Sequence, residues 1–152
     1  MYKFEKVPEI FLKNLSNFLS GTGLTLELAF CTVIFGTLLG VIVTLLRRCK
    51  IAPVRWIMNL YVEFLRGTPL LVQALMVVYG APQLGINPGR KMLSIIALVI
   101  NSSAYMSEIV RAGIQAIDHG QTEAAVSLGM TRTQNMLYII LPQAMKTTLP
   151  AM

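Results

Sequence analysis

Residues 24–46 form an apolar run of roughly 23 residues, long enough to cross a hydrocarbon core of about 30 Å as a single helix. Glu27 is its one charge, near an end. The fourteen Leu, Ile, Val and Phe side chains of the run, at about −0.3 to −0.6 kcal/mol each, outweigh the roughly +3 kcal/mol of one acid at the membrane centre. The run therefore inserts. Ala29, Thr32, Gly36, Gly40 and Thr44 recur at helical spacing, and Gly36 with Gly40 makes a small-xxx-small pair that lets a neighbouring helix come close. One face of this span is predicted to pack on protein rather than on lipid.

Composition points the same way: mean hydropathy is +0.64 and only 13% of residues are charged, where soluble domains average about a quarter. A net charge of +6 could suit nucleic acid, but the basic residues gather at the ends of apolar runs, where they orient the chain and touch lipid. Arg47, Arg48, Lys50 and Arg55 follow the first span, 22–46, and by the positive-inside bias set that end in the cytoplasm and the amino terminus outside. Residues 1–21, with Phe4, Ile10, Phe11, Leu15 and Phe18, read as an extracytoplasmic interfacial segment rather than a cleaved signal peptide. Cys31 and Cys49 supply neither a disulfide framework nor metal spacing.

Residues 52–65, with Pro53, Trp56, Asn59 and Glu63, read as an amphipathic helix lying along the membrane surface. The apolar run that follows is too short to cross alone, so span 2 is expected over 66–82, with Pro69 at its first turn or at a kink. The turn-rich loop 82–91 then lies outside. Span 3, 92–112, carries Asn101, Ser102 and Ser103 at mid-membrane, where such groups either face a water-filled path or bond across to other helices. Glu108 and Arg111, three apart at its inner end, read as an ordinary helix-surface pair. A fourth span starts within 134–152.

Between spans 3 and 4 stands the polar stretch 118–142. Asp118 with Gln121, and Thr131 with Gln134, have the spacing of capping boxes at two helix starts. Gly129 between them suits the left-handed residue that ends a helix. A helix, tight turn and helix follow, with 118–133 as a cytoplasmic loop whose Ala124, Ala125 and Val126 beside Glu123 make a docking face. His119, the one histidine, reads as a solvated loop residue. No Ser, His and Asp set, paired intramembrane carboxylates or phosphate-cradling glycine loop occurs. The chain thus reads as non-enzymatic, without metal or cofactor, and any ATP use falls to a partner. Gln121, Ala125 and Gly129 also match helix-turn-helix spacing, so a membrane-anchored DNA-binding regulator is an alternative. Its recognition helix, 133–141, would be apolar and without Lys or Arg, which argues against nucleic acid as a partner. A channel or secondary carrier using Asn101 is a weaker alternative.

Glu123-Ala124-Ala125, three residues, Gly129, nine residues, then Ile139-x-Leu141-Pro142 resembles the EAA loop of importer-type ABC transporter permeases. Arg66-Gly67-Thr68-Pro69 through Gln73, Asn101 to Tyr105 with Glu108 and Arg111, and Gly120-Gln121 are similar to the polar amino acid uptake branch of that family, of histidine, glutamine and arginine type. The acid Asp118 and His119 stand where that pattern favours a base. The resemblance implies an all-α membrane protein, a bundle of transmembrane helices with a cytoplasmic EAA coupling loop, multi-pass in the bacterial inner membrane. It further implies a second permease subunit, identical or not, cytoplasmic ABC ATPase subunits and an extracytoplasmic solute-binding protein. Glu123, Ala124, Ala125, Leu128 and Gly129 would contact the ATPase, with Arg66, Gly67, Thr68, Pro69, Gln121 and Pro142 as further motif positions. By analogy, an amino acid would cross near Gln73, Asn101, Ser102 and Ser103. Members of the family add at least one more helix, so the sequence reads as truncated before the final one.

Overall fold

The computed structural model describes residues 11–148, and every regular element among them is helical. Helix α1, Leu15–Arg47, has 33 residues and extends about 50 Å at 1.5 Å per residue. Helix α5, Arg90–Gln115, has 26. Both are long and apolar enough to cross a membrane, and their mutual packing dominates the described residues. Small residues set the seam. A Cβ at Gly36 would stand 2.7 Å from Ser102 Oγ, and one at Gly40 would stand 2.5 Å from Met106 Cβ and 3.0 Å from Ser103 O. The protein-facing stripe expected on the first span therefore meets span 3, while Phe30, Val33, Phe35 and Leu38 on other faces of α1 stay exposed, as a lipid solvent permits.

The amino-terminal boundary differs from expectation. From Leu15 onward the interfacial segment expected over 1–21 is one continuous helix with the span. Gly21 and Gly23 do not interrupt it, and the Thr22 and Thr25 hydroxyls donate to Phe18 O and Gly21 O within the same coil. Residues 1–10, with Phe4 and Ile10, lie outside the described residues.

Helix α2, Ala52–Gly67, opens with Pro53 in its first turn and lays Val62 and Leu65 against Val43 and Ala104, closing a core shared by α1, α2 and α5. Trp56 stays exposed. Here span 2 needs correction: it does not start at Arg66 as a helix running onward from the surface segment. The chain turns by 106° between Ala52–Gly67 and Leu70–Gln83. Pro69 causes the bend, because its ring bars the helical conformation for the residue before it, and Thr68 is extended at φ −116° and ψ 145°. Helix α3, Leu70–Leu75, then passes through a π turn, Met76–Gly80, into α4, Ala81–Gln83. At about 1.5 Å per residue these 14 residues, Leu70–Gln83, rise only about 21 Å. They cross a bilayer only as part of a bent span.

After α5 come α6, His119–Ser127, and α7, Arg132–Asn135. A second π turn, Met136–Ile140, leads into α8, Leu141–Thr148, which packs on α5 through Ala144 and Thr148 at Gly113. Both π turns precede a proline by one residue, Pro82 and Pro142. A proline lacks the N–H that an α-helix needs at its position and pushes away the carbonyl four residues back, so the coil widens locally.

Gly40→Ala and Gly23→Ala raise helix propensity alike, by up to about 1 kcal/mol, but Gly23 has nothing within 4 Å of an added Cβ. Gly40→Ala is expected to lower the thermal unfolding midpoint in detergent by several degrees, an overpacking cost of about 1–3 kcal/mol. Gly23→Ala should leave it unchanged or higher. Equal midpoints would refute the close α1–α5 contact.

Candidate functional site

Three features carry unusual chemistry: a carboxylate among arginines, a polar elbow, and the helical turn that stands off the bundle. Glu108, on α5, holds more than its expected neighbour. Its Oε1 accepts from Arg111 of the same helix, its Oε2 accepts from Arg47 Nη1 at 3.0 Å, and Arg66 Nη1 stands 3.8 Å from the same oxygen. The ordinary helix-surface pair is thus one arm of a clamp joining α1, α2 and α5. Arg47 also donates through Nε to Asn59 Oδ1 at 2.7 Å, and Arg66 lies 5.6 Å from the Tyr105 ring centroid. Beneath it the Thr44 hydroxyl bonds Ser107 O at 3.1 Å. From the sequence Arg47 reads only as an orienting charge; its place three residues after Thr44, the next position of the small-residue stripe, is the available signal. Twenty residues before Arg47 on the same helix, Glu27 pairs with Lys91 at 2.6 Å, which gives that base a partner.

At the elbow, Gln73 answers for Leu65 O, the carbonyl that Pro69 leaves without an N–H four residues on, and for Thr68 at the break itself. Its Nε2 lies 2.8 Å from Leu65 O, 3.1 Å from Thr68 O and 2.7 Å from Thr68 Oγ1, and its Oε1 accepts from Asn101 Nδ2 at 3.1 Å. Arg66, Thr68, Pro69 and Gln73 of the motif therefore build one bend and tie it to α5, while Gly67 faces open space. The mid-helix polar residues do not converge. Asn101 meets Gln73, Ser103 is fully buried 2.7 Å from Tyr61 Oη, and Ser102 faces Gly36. A cavity of 230 Å³ beside the elbow touches Gln73 and Thr68 but is otherwise lined by apolar side chains such as Phe64, Val72 and Ile100.

The turn forms by local rules. Asp118 Oδ1 accepts from Gly120 N at 2.6 Å and so caps α6, but Gln121 does not return the bond; its side chain lies 3.5 Å from Gln143 Nε2 on α8 instead. One of the two expected capping boxes is therefore half formed, while Thr131 with Gln134 is complete. Gly129 is left-handed at φ +78°. Met130 N donates to Ala125 O and Gly129 N to Val126 O, the bond pair of a Schellman ending. Glu123, Ala124, Val126 and Leu128 are exposed, Leu128 to 82%. Ala125 is not: at 3% exposure it packs inward toward the Met136–Ile140 turn, which removes it from the docking face. It fills that place because the helical period sets it on the opposite side from Glu123. The second helix of the unit has only four residues, Arg132–Asn135, before the apolar π turn, a poor reader of DNA.

Residues 36–152 match the family of binding-protein-dependent transport system inner membrane components. The arginine transport system permease protein ArtQ of Bacillus subtilis is 42% identical over 134 residues, which are 88% of this chain and 61% of that protein. The probable glutamine ABC transporter permease protein GlnM of the same organism is 38% identical over 93% of this chain and 65% of its own length. Among solved structures, one described as a crystal structure of an amino acid ABC transporter with histidines aligns with a TM-score of 0.87 at 48% identity. It covers 93% of this chain and 66% of that one. The chain thus spans about three fifths of the length of the curated relatives it matches.

Removing one carboxylate from three guanidinium groups exposes their mutual repulsion. Glu108→Gln is expected to destabilise the protein by about 2 kcal/mol, below the cost for a fully buried pair, as read by chemical denaturation in detergent. Arg66→Gln removes an arm that is 42% exposed and 3.8 Å away, and should cost about 0.5 kcal/mol or less. The reverse ranking would refute the clamp.

Proposed function

The chain belongs to the family of binding-protein-dependent transport system inner membrane components, and from this we propose that it acts as the permease subunit of an ATP-driven amino acid importer. Named relatives that carry arginine or glutamine support the substrate class. In this reading a second permease subunit completes the path, an extracytoplasmic solute-binding protein delivers the amino acid, and ATP hydrolysis belongs to a separate cytoplasmic subunit. The basic loop after α1 and the α6–α7 turn face the cytoplasm, as the positive-inside bias favours, and the amino terminus lies outside.

The single observation that carries the coupling role is the exposed apolar tip of that turn. Leu128 and Val126 stand out at 82% and 58% exposure on a rigid, capped unit with Glu123 and Ala124 beside them. Exposed aliphatic side chains on a rigid turn fit a partner's cleft. A push on this unit passes through the Met136–Ile140 turn to α8 and through Gly113 to α5. Along the path, the Gln73–Asn101 pair is the polar contact beside open volume, and Ser102 and Ser103 line the helix seam next to it. Glu108 and its arginines then hold the cytoplasmic ends of α1, α2 and α5 together as the loop moves.

The full chain, co-expressed with its ATPase and binding protein and reconstituted in vesicles, should take up an amino acid only with internal ATP. Uptake without the ATPase subunit would instead support a secondary carrier. Leu128→Asp is expected to lower ATPase co-purification roughly tenfold, the loss of one central apolar contact, with the thermal midpoint unchanged. Ala125→Arg should lower the midpoint itself, because its site is interior. Normal ATPase recruitment by Leu128→Asp would sink the coupling role.

A further inference from the structure

A cavity of 540 Å³ lies between the basic end of α1 and the α6–α7 turn, and of its lining only Val126 figures in the importer reading as a docking side chain. Arg48 and Arg132 stand at its wall, both exposed, and neither has an acidic partner among the described residues. No Asp or Glu lines it. Behind the arginines the lining turns apolar, with Ile114, Ile117, Met136 and Ile140. Asn135 borders the cavity as well, but its side-chain oxygen is closed off within the protein and faces no ligand.

We propose that this cavity binds an anionic phospholipid. Each part of that ligand has a counterpart on the wall. The phosphodiester meets the two guanidinium groups, which favour planar recognition of phosphate oxygens. The upper acyl and ester region lies against Ile114, Met136 and Ile140. A zwitterionic lipid brings no net charge to two cations without acids, and a free phosphate leaves the apolar wall unused. Because the cavity is walled by the end of α1 on one side and by α6 and α7 on the other, the lipid bridges the turn to the first span. This assignment stands on the cavity itself and holds whether or not the turn couples to an ATPase.

Native mass spectrometry of the full chain, titrated in detergent with dioleoylphosphatidylglycerol, dioleoylphosphatidylcholine or glycerol phosphate, tests it. One phosphatidylglycerol is expected to bind in preference to the other two. The double variant Arg48→Gln/Arg132→Gln should weaken it roughly thirtyfold, from about 1 kcal/mol per basic residue at 1.4 kcal/mol per tenfold. Lys50→Gln/Arg55→Gln removes equal charge outside the cavity and should leave the affinity within about threefold, the residual surface attraction. Equal binding of phosphatidylcholine, equal binding of glycerol phosphate, wild-type affinity in the Arg48 and Arg132 double variant, or an equal loss in the Lys50 and Arg55 control would each overturn the assignment.

Discussion

One carboxylate holds the described bundle in register. Glu108 is met by guanidinium groups from three helices, at positions 47, 66 and 111, and in a weakly polar surrounding charges at such distances interact far more strongly than in water. Three cations brought together without that acid would drive α1, α2 and α5 apart. With it, they fix the rotation of each helix about its own axis. The small-residue seam above then follows. Gly36 and Gly40 can lie against Ser102 and Met106 only if α1 presents that stripe, and the Arg47 anchor at its end fixes which stripe it presents.

Polarity within the apolar region is spent mainly on shape. Gln73 satisfies carbonyls at a bend, Ser103 and Tyr61 bond across helices, and Thr44 meets Ser107. Such bonds are worth little each in a membrane, of order 1 kcal/mol, yet they define where the backbone may depart from a straight helix. The elbow is the clearest instance. A 106° turn between two apolar helices survives because one glutamine side chain replaces what the proline removed.

Features governed by neighbours in sequence were legible without coordinates. The apolar length of α1, the glycine stripe, the left-handed Gly129 and the Thr131 cap are all local, and each appears where its chemistry requires. The Arg66 to Gln73 motif was visible as a pattern with a first turn or a kink at Pro69, but the choice between the two was not, since composition cannot separate a helix that starts early from one that restarts after a break. Arg47 and Glu108 are 61 residues apart, and nothing short of the packed fold joins them. Ala125 shows another limit: small size made it look suited to a docking face, but size alone does not distinguish a side chain that lets a partner approach from one that lets its own chain close up.

The π turn ahead of Pro142 has a geometric consequence for everything before it. Leu141 N donates to Met136 O, five residues back, so the coil holds one residue more than an α-helix of the same length. One residue corresponds to about 100° of rotation. The proline thus acts as a phase shifter. It sets the compass bearing of Glu123 and Leu128 relative to α8, and a chain that regained regular winding there would carry the same turn, intact and correctly capped, pointing to the wrong side of the bundle.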